Sequence, residues 1–183
     1  MRSSMYNDLE RVLFTREQLQ QRIEELGNAI TEDFASQPPI MVCILKGAVV
    51  FFSELLKNIA LPVEIDVMAA SSYEDRTVSS GMVRVVKDLS CNIVNKNIIL
   101  VEDIIDSGRT LFHLRELLLS RGAASVTIAT LLDKPSRRVL DLQPDYCGFT
   151  IPDVFVVGYG LDYAEKYRNL PEIGILSPSV IKA

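Results

Sequence analysis

Apolar positions are spaced along this chain in two rhythms. From Arg16 to Phe34 they recur at Leu19, Ile23, Leu26 and Ile30, in steps of four, three and four, which lines one face of a helix. Pro38-Pro39 ends that region. Ile40 to Leu45 is then a short continuous apolar run, the pattern of a strand buried on both faces, and Lys46-Gly47 closes it. Ala48 to Ile59 is apolar and long enough for a helix, with Val49, Phe52, Leu55 and Leu56 on it, and Pro62 breaks it. Val63 to Ala70 reads as the next strand. Ser71 to Ser80 is polar and turn-like, and Gly81 to Lys87 alternates. Asn97 to Val101 is another apolar strand. Arg109 to Arg121 reads as a helix carrying Leu111, Leu114, Leu117 and Leu118, with Gly122 as its stop. Ser125 to Leu132 is a buried strand, and Val154 to Val157 a last short core strand before Gly158.

Strands alternating with helices predict an α/β fold: a mostly parallel twisted sheet flanked by helices. In such sheets ligands gather beyond the carboxyl ends of the strands. Four groups of polar residues fall at such ends. Lys46 follows one strand, Glu102 and Asp103 close a second, Lys134 follows a third, and Asp162 lies just past a fourth.

Composition narrows the classes. The chain has 183 residues, 48% hydrophobic and 23% charged, an ordinary balance for one globular domain with a sizeable core. No apolar segment is long enough to span a bilayer, and no secretory h-region follows Met1 to Asp8, so a cytoplasmic setting is expected. A net charge of −5 argues against nucleic acid as the main partner. Cys43, Cys91 and Cys147 have neither CxxC nor zinc spacing and read as thiols in a reducing compartment. His113 is the only histidine and falls on a helix surface, so the chemistry has to run without a histidine base.

The chemistry concentrates in Asn97 to Thr110. An apolar run meets Glu102 and Asp103, and a third carboxylate follows at Asp106. Unpaired buried charge is costly, so a structural strand has no use for that pair. The turn Asp106-Ser107-Gly108-Arg109-Thr110 supplies hydroxyls, backbone N–H groups and a helix N-terminus, the ingredients of a phosphate cradle. Asp106 or Ser107 as an N-cap would explain one acidic residue, not three. Carboxylates beside a phosphate site point to a ligand with phosphate and sugar hydroxyls, together with a divalent cation. No G-x-G-x-x-G follows the first strand, which excludes a generic dinucleotide binder.

Val101-Glu102-Asp103-Ile104-Ile105-Asp106-Ser107-Gly108-Arg109-Thr110-Leu111 resembles the phosphoribosyl pyrophosphate motif of the type I phosphoribosyltransferases. Leu131 to Arg138 and Phe149 to Tyr163 extend the resemblance, which runs from about Val12 to Leu176 and is closest to the bacterial hypoxanthine and hypoxanthine-guanine phosphoribosyltransferases. It implies one domain over 1–183, a small hood formed by the terminal segments, and a lid at about 71–81 with Ser72-Tyr73 as the matching pair. Glu74-Asp75 stands where bacterial relatives often carry glycine.

The same resemblance implies the site. Lys46 and Gly47 would form the pyrophosphate loop, with a cis peptide before the lysine, and Arg168 would bind pyrophosphate. Glu102, Asp103, Asp106, Ser107, Gly108, Arg109 and Thr110 would hold the phosphoribosyl group. Mg²⁺ would be held through Glu102, Asp103 and Asp162. Phe155 would stack on the purine and the Val156 backbone would read its edge, while Asp106 would face N7 as the acid/base group. Lys134 only donates hydrogen bonds, which suits a 6-oxo group and leaves a 6-amino group unmatched. The implied reaction joins hypoxanthine, and by extension guanine or xanthine, to phosphoribosyl pyrophosphate. A homodimer or homotetramer through the helix from Val49 to Leu56 is expected, with extra core burial as the other reading of that helix. Glu165 and Lys166 read as plain surface residues. A nucleotide sensor binding RNA or DNA on the same fold is the alternative; an acidic chain without an added DNA-binding domain speaks against it.

Overall fold

The fold was taken from a computed structural model, which describes residues 4–72 and 83–181. Among these, the chain forms β1 (Leu9–Phe14), α1 (Arg16–Asp33), β2 (Ile40–Leu45), α2 (Val49–Lys57), β3 (Glu64–Ser72), β4 (Val83–Lys87), β5 (Asn97–Ile105), α3 (Arg109–Ser120), β6 (Ser125–Asp133), β7 (Tyr146–Thr150), β8 (Val156–Val157) and β9 (Ile173–Leu176). A six-stranded sheet runs β4-β3-β2-β5-β6-β7. Its β2, β3, β5, β6 and β7 pair in parallel, and β4 adds antiparallel to β3 at one edge. A three-stranded antiparallel sheet, β1-β9-β8, forms the hood expected from the terminal segments.

The helical face read from spacing is the buried one: Leu19, Ile23, Leu26 and Ile30 are at most 4% exposed. Thr15 caps α1 in a capping box with Gln18, each side chain taking the other's backbone N–H. With α2 this helix closes one core against the sheet, while α3 closes the other, over Ile98, Leu100 and Ile128. On α2, Phe51 and Phe52 are buried in the core and only Val49 stands out, at 47% exposure. The apolar surplus of that helix is therefore mostly core.

Two strand expectations change. Val154–Val157 is not a strand of the main sheet: only Val156–Val157 is extended, and it pairs with β9 in the hood. The main sheet closes instead on β7, which pairs with β6. Chain order places the switch in sheet direction between β2 and β5, where the crevice for a ligand belongs. No helix among the described residues is long and apolar enough to cross a membrane. The three cysteines are free thiols, Cys43 buried and the others half-buried.

Candidate active site

β5 does not stop at its carboxylates, as the apolar run suggested. It continues through Glu102 and Asp103 to Ile105, paired with β6 as far as Asp133. Neighbouring residues on a strand face opposite sides, and the two carboxylates serve different cavities. Glu102 lines one of about 110 Å³ with the turn from Asp106 to Leu111. Asp103 lines another of about 200 Å³ with Ile104, Asp106, Lys134, Phe155, Val156, Leu161 and Asp162.

The first cavity is built by the turn into α3. The N-cap is neither Asp106 nor Ser107 but Gly108, at φ +78 and with no side-chain cap. Glycine alone adopts that conformation freely, and its absent side chain leaves the first amides of α3 after that of Arg109 open to an anion. Ser107 Oγ accepts from Arg109 N at 3.4 Å, and Thr110 lines the same cavity. The Arg109 side chain is exposed.

Glu102 Oε2 is buried and finds no hydrogen-bond partner among the described residues. Burial, reinforced by neighbouring Asp103, holds the Glu102 carboxyl well above its usual range. Asp103 is 9% exposed, and burial pushes its pKa up to about 6, against the pull of the Ile104 N–H donated to Oδ1 at 2.8 Å. Gly47 packs directly on this carboxylate: a Cβ there would overlap Asp103 Oδ2. The peptide Leu45–Lys46 is cis, as expected. A Cβ on Gly160, at φ +103, would overlap the Gly47 carbonyl oxygen, so a side chain there would force the two loops apart.

On the other side of the turn Lys134 is 6% exposed, with Nζ 3.7 Å from Asp106 Oδ1 and 4.0 Å from Asp153 Oδ1. Arg137 reaches the same two carboxylates, at 3.8 and 3.3 Å. Phe155 is no core aromatic. It is 42% exposed and meets Tyr163 edge-on at 5.5 Å. Val156 is buried in β8, so the hood sheet delivers one wall of the cavity.

Arg168 donates through NH1 to the Gly160 carbonyl at 2.8 Å, and its NH2 lies 2.8 Å from Asp162 Oδ1. Glu165, expected to be a plain surface residue, joins them: its carboxylate is 3.2 Å from Lys46 Nζ and 3.4 Å from Arg168 NH2. Sequence reasoning also passed over Arg138 and Asp133, a buried ion pair behind the turn. Arg138 donates to the Asp106 carbonyl at 2.6 Å, and Val139 N to the Ser107 carbonyl at 3.1 Å. The structure thus places Glu102 and the 106–110 turn in one cavity and Asp103, Asp106, Lys134, Phe155, Val156 and Asp162 in the adjoining one, with Gly47 packed on Asp103, Arg168 paired with Asp162, and Lys46 tied to Arg168 through Glu165. Of the expected lid, Ser72 ends β3, and Tyr73 to Gly81 lie outside the described residues. No cluster of three or more His, Cys, Asp or Glu among the described residues is arranged to hold a metal by itself.

Against known proteins, the family model "Phosphoribosyl transferase domain" matches residues 13–164. The hypoxanthine-guanine phosphoribosyltransferase of Bacillus subtilis is 49% identical over 179 residues, covering 98% of this chain and 99% of that protein. A hypoxanthine phosphoribosyltransferase crystal structure from Staphylococcus aureus superposes with TM-score 0.96 at 49% identity, over 100% of both chains. The bifunctional protein TilS/HprT of Listeria monocytogenes is also 49% identical over 177 residues, covering 97% of this chain, which spans only 27% of that protein's length.

Proposed function

The chain belongs to the phosphoribosyltransferase family, among its hypoxanthine-guanine members, and from that premise we propose a purine salvage transferase that joins a 6-oxopurine to 5-phosphoribosyl 1-pyrophosphate, releasing IMP or GMP and pyrophosphate. One observation carries the reading. A single cavity is lined by a buried lysine, an exposed aromatic ring and three carboxylates, and it adjoins an uncapped helix N-terminus. Lys134 offers donors only and selects a 6-oxo group over a 6-amino group. Phe155 gives the base a flat face to stack on, and the Val156 backbone lies at its edge. The open amides of α3 with Ser107 and Thr110 take the 5-phosphate and fix the sugar.

In the reaction the purine N9 forms a bond to C1 of the ribose while the bond from C1 to the pyrophosphate oxygen breaks. Asp106, at the mouth shared with Lys134, takes the proton released by the purine. Lys46 and Arg168 meet the negative charge gathering on the leaving group, with Gly47 bringing backbone close to it. Glu102 and Asp103 orient the ribose hydroxyls. The segment 71–81, with Ser72 and Tyr73, closes over the site and keeps water from the cationic sugar.

The donor set suits magnesium. Buried, unpartnered Glu102 Oε2 on one face of β5, and the carboxylates of Asp103 and Asp162 on the other, are hard oxygen donors that would hold a cation together with phosphate and hydroxyl oxygens of the substrate. Bound there, the cation would neutralise charge on the departing pyrophosphate. Free thiols are in keeping with a reducing cytoplasm. Exposed Val49, at the head of α2, belongs to the surface on which a homodimer or homotetramer would form.

Steady-state assays with hypoxanthine, guanine, xanthine and adenine, each with the phosphoribosyl donor and magnesium, test the proposal. Turnover of hypoxanthine or guanine, with adenine left unused, is the expected result. Adenine used as well as hypoxanthine would remove Lys134 from its role.

A further inference from the structure

Glu165 has no part in the chemistry above, yet the backbone goes to some trouble to aim it. Tyr163 to Lys166 is a tight turn closed by Tyr163 N to the Lys166 carbonyl at 3.2 Å and Lys166 N to the Tyr163 carbonyl at 3.1 Å. Its two central residues, Ala164 at φ +51 and Glu165 at φ +60, are both left-handed. Asn-Gly is the usual content of such a turn, and a side chain with a Cβ is disfavoured there. Strain of this kind gathers at functional sites. The Glu165 N–H is pinned to Asp162 Oδ2 at 2.9 Å. The result is a carboxylate between Lys46, from the end of β2, and Arg168, from beyond β8.

Those two cations are the ones that meet the leaving group in the proposed reaction. A carboxylate and a pyrophosphate oxygen compete for the same N–H donors. We propose that Glu165 is a positioning residue that acts as an internal competitor of pyrophosphate. It holds Lys46 and Arg168 in place between turnovers, gives way as the phosphoribosyl donor binds, and returns to help expel the product. Its carboxylate lies within ion-pair distance of both cations, 3.2 Å from Lys46 Nζ and 3.4 Å from Arg168 NH2, where a pyrophosphate oxygen would have to displace it. Asp162 pairs with Arg168 as well, but it does not reach Lys46; only Glu165 bridges both cations among the described residues.

This inference rests on the transferase reading, and the test separates the two. Glu165→Gln keeps the shape and removes the charge. Glu116→Gln, on the exposed face of α3, makes the same change of net charge away from the site. Product inhibition by pyrophosphate is measured for both and for the parent, at low salt and near 0.5 M. Two exposed ion pairs correspond to roughly a 3–10-fold tighter pyrophosphate inhibition constant in Glu165→Gln, shrinking at high salt, with Glu116→Gln unchanged. Calorimetric titration of each protein with pyrophosphate gives the same comparison without turnover, and Glu165→Ala repeats it if the glutamine variant is poorly folded. Equal or weaker pyrophosphate affinity in the charge-neutral variants overturns the proposal. A parent protein that transfers no phosphoribosyl group at all would instead sink the reaction itself.

Discussion

Replacing Arg138 with methionine separates scaffold from chemistry. The Arg138 and Asp133 side chains are 8% and 7% exposed, and their ion pair lies behind the turn from Asp106 to Gly108. Removing one partner leaves a buried, unpaired carboxylate, a loss of about 3–5 kcal/mol. The same change deletes a charged donor to the Asp106 carbonyl, for about 1.5–3 kcal/mol more before relaxation. Arg138→Met should therefore destabilise by about 4 kcal/mol or somewhat more, a large part of the ~5–15 kcal/mol that holds an ordinary domain. In a chain of this size that lowers Tm by roughly 10 °C. Asp133→Leu should cost about as much, because it strands the guanidinium. The double variant Asp133→Leu/Arg138→Met replaces the pair by apolar groups and should recover most of the loss, to within about 2 kcal/mol of the parent. Its turnover should stay low, because Asp106 is still untethered. Urea unfolding of the four proteins closes the cycle, and steady-state kinetics are read alongside. Additive single losses, or a double variant with full turnover, would refute the tether.

Three further outcomes are expected. Asp106→Asn should lower kcat by about 10²–10⁴-fold with little change in KM, measured in the forward assay. Lys134→Met should narrow the preference of hypoxanthine over adenine, read as the ratio of kcat/KM values; an unchanged ratio would place the base elsewhere. Asp66 is the pH test: burial raises its pKa, but the backbone N–H groups of Ser90, Val67 and Cys91 outweigh burial and bring it down to about 2. A carboxyl depressed from 3.8 contributes about 2 kcal/mol above pH 4 and loses it as pH falls toward 2, so Asp66→Asn should flatten that limb of an acid-unfolding curve.

Local rules carried most of the fold. β2 runs over the residues its apolar pattern marked, bounded by Pro38-Pro39 and Lys46-Gly47, and α1 begins at Arg16 behind its cap. Where reading failed, distant partners decided. β5 extends past Val101 because β6 pairs with it, and two carboxylates inside a strand contradict the rule that ended the run there. β7 carries Cys147 and Gly148 and looks like a loop, but the missing side chain at Gly148 lets the strand lie against the Leu131 backbone of β6. Val156 and Val157 read correctly as extended, but a strand of two residues says nothing about which sheet it joins. The site was legible wherever a motif ran unbroken, as from Val101 to Leu111. Glu165 and Arg138 escaped because surface and buried charges look alike in a sequence, and the contacts that tie them to the site, with Lys46 and with the Asp106 carbonyl, lie 119 and 32 positions away.

The alternation of Glu102 and Asp103 along β5 has a lasting effect on what this architecture can accept. The two compartments adjoin at Ile104 and Asp106, and the offset between the two acids is a constant of extended backbone that no loop movement can stretch. Loops may be lengthened or recoloured on either side to welcome a different base or a different anion. A one-residue slip of the strand would turn both acids about and exchange their tenants. Variation can therefore redecorate the rooms, while the stretch of backbone that carries both acids stays under the guardianship of its pairing with β6.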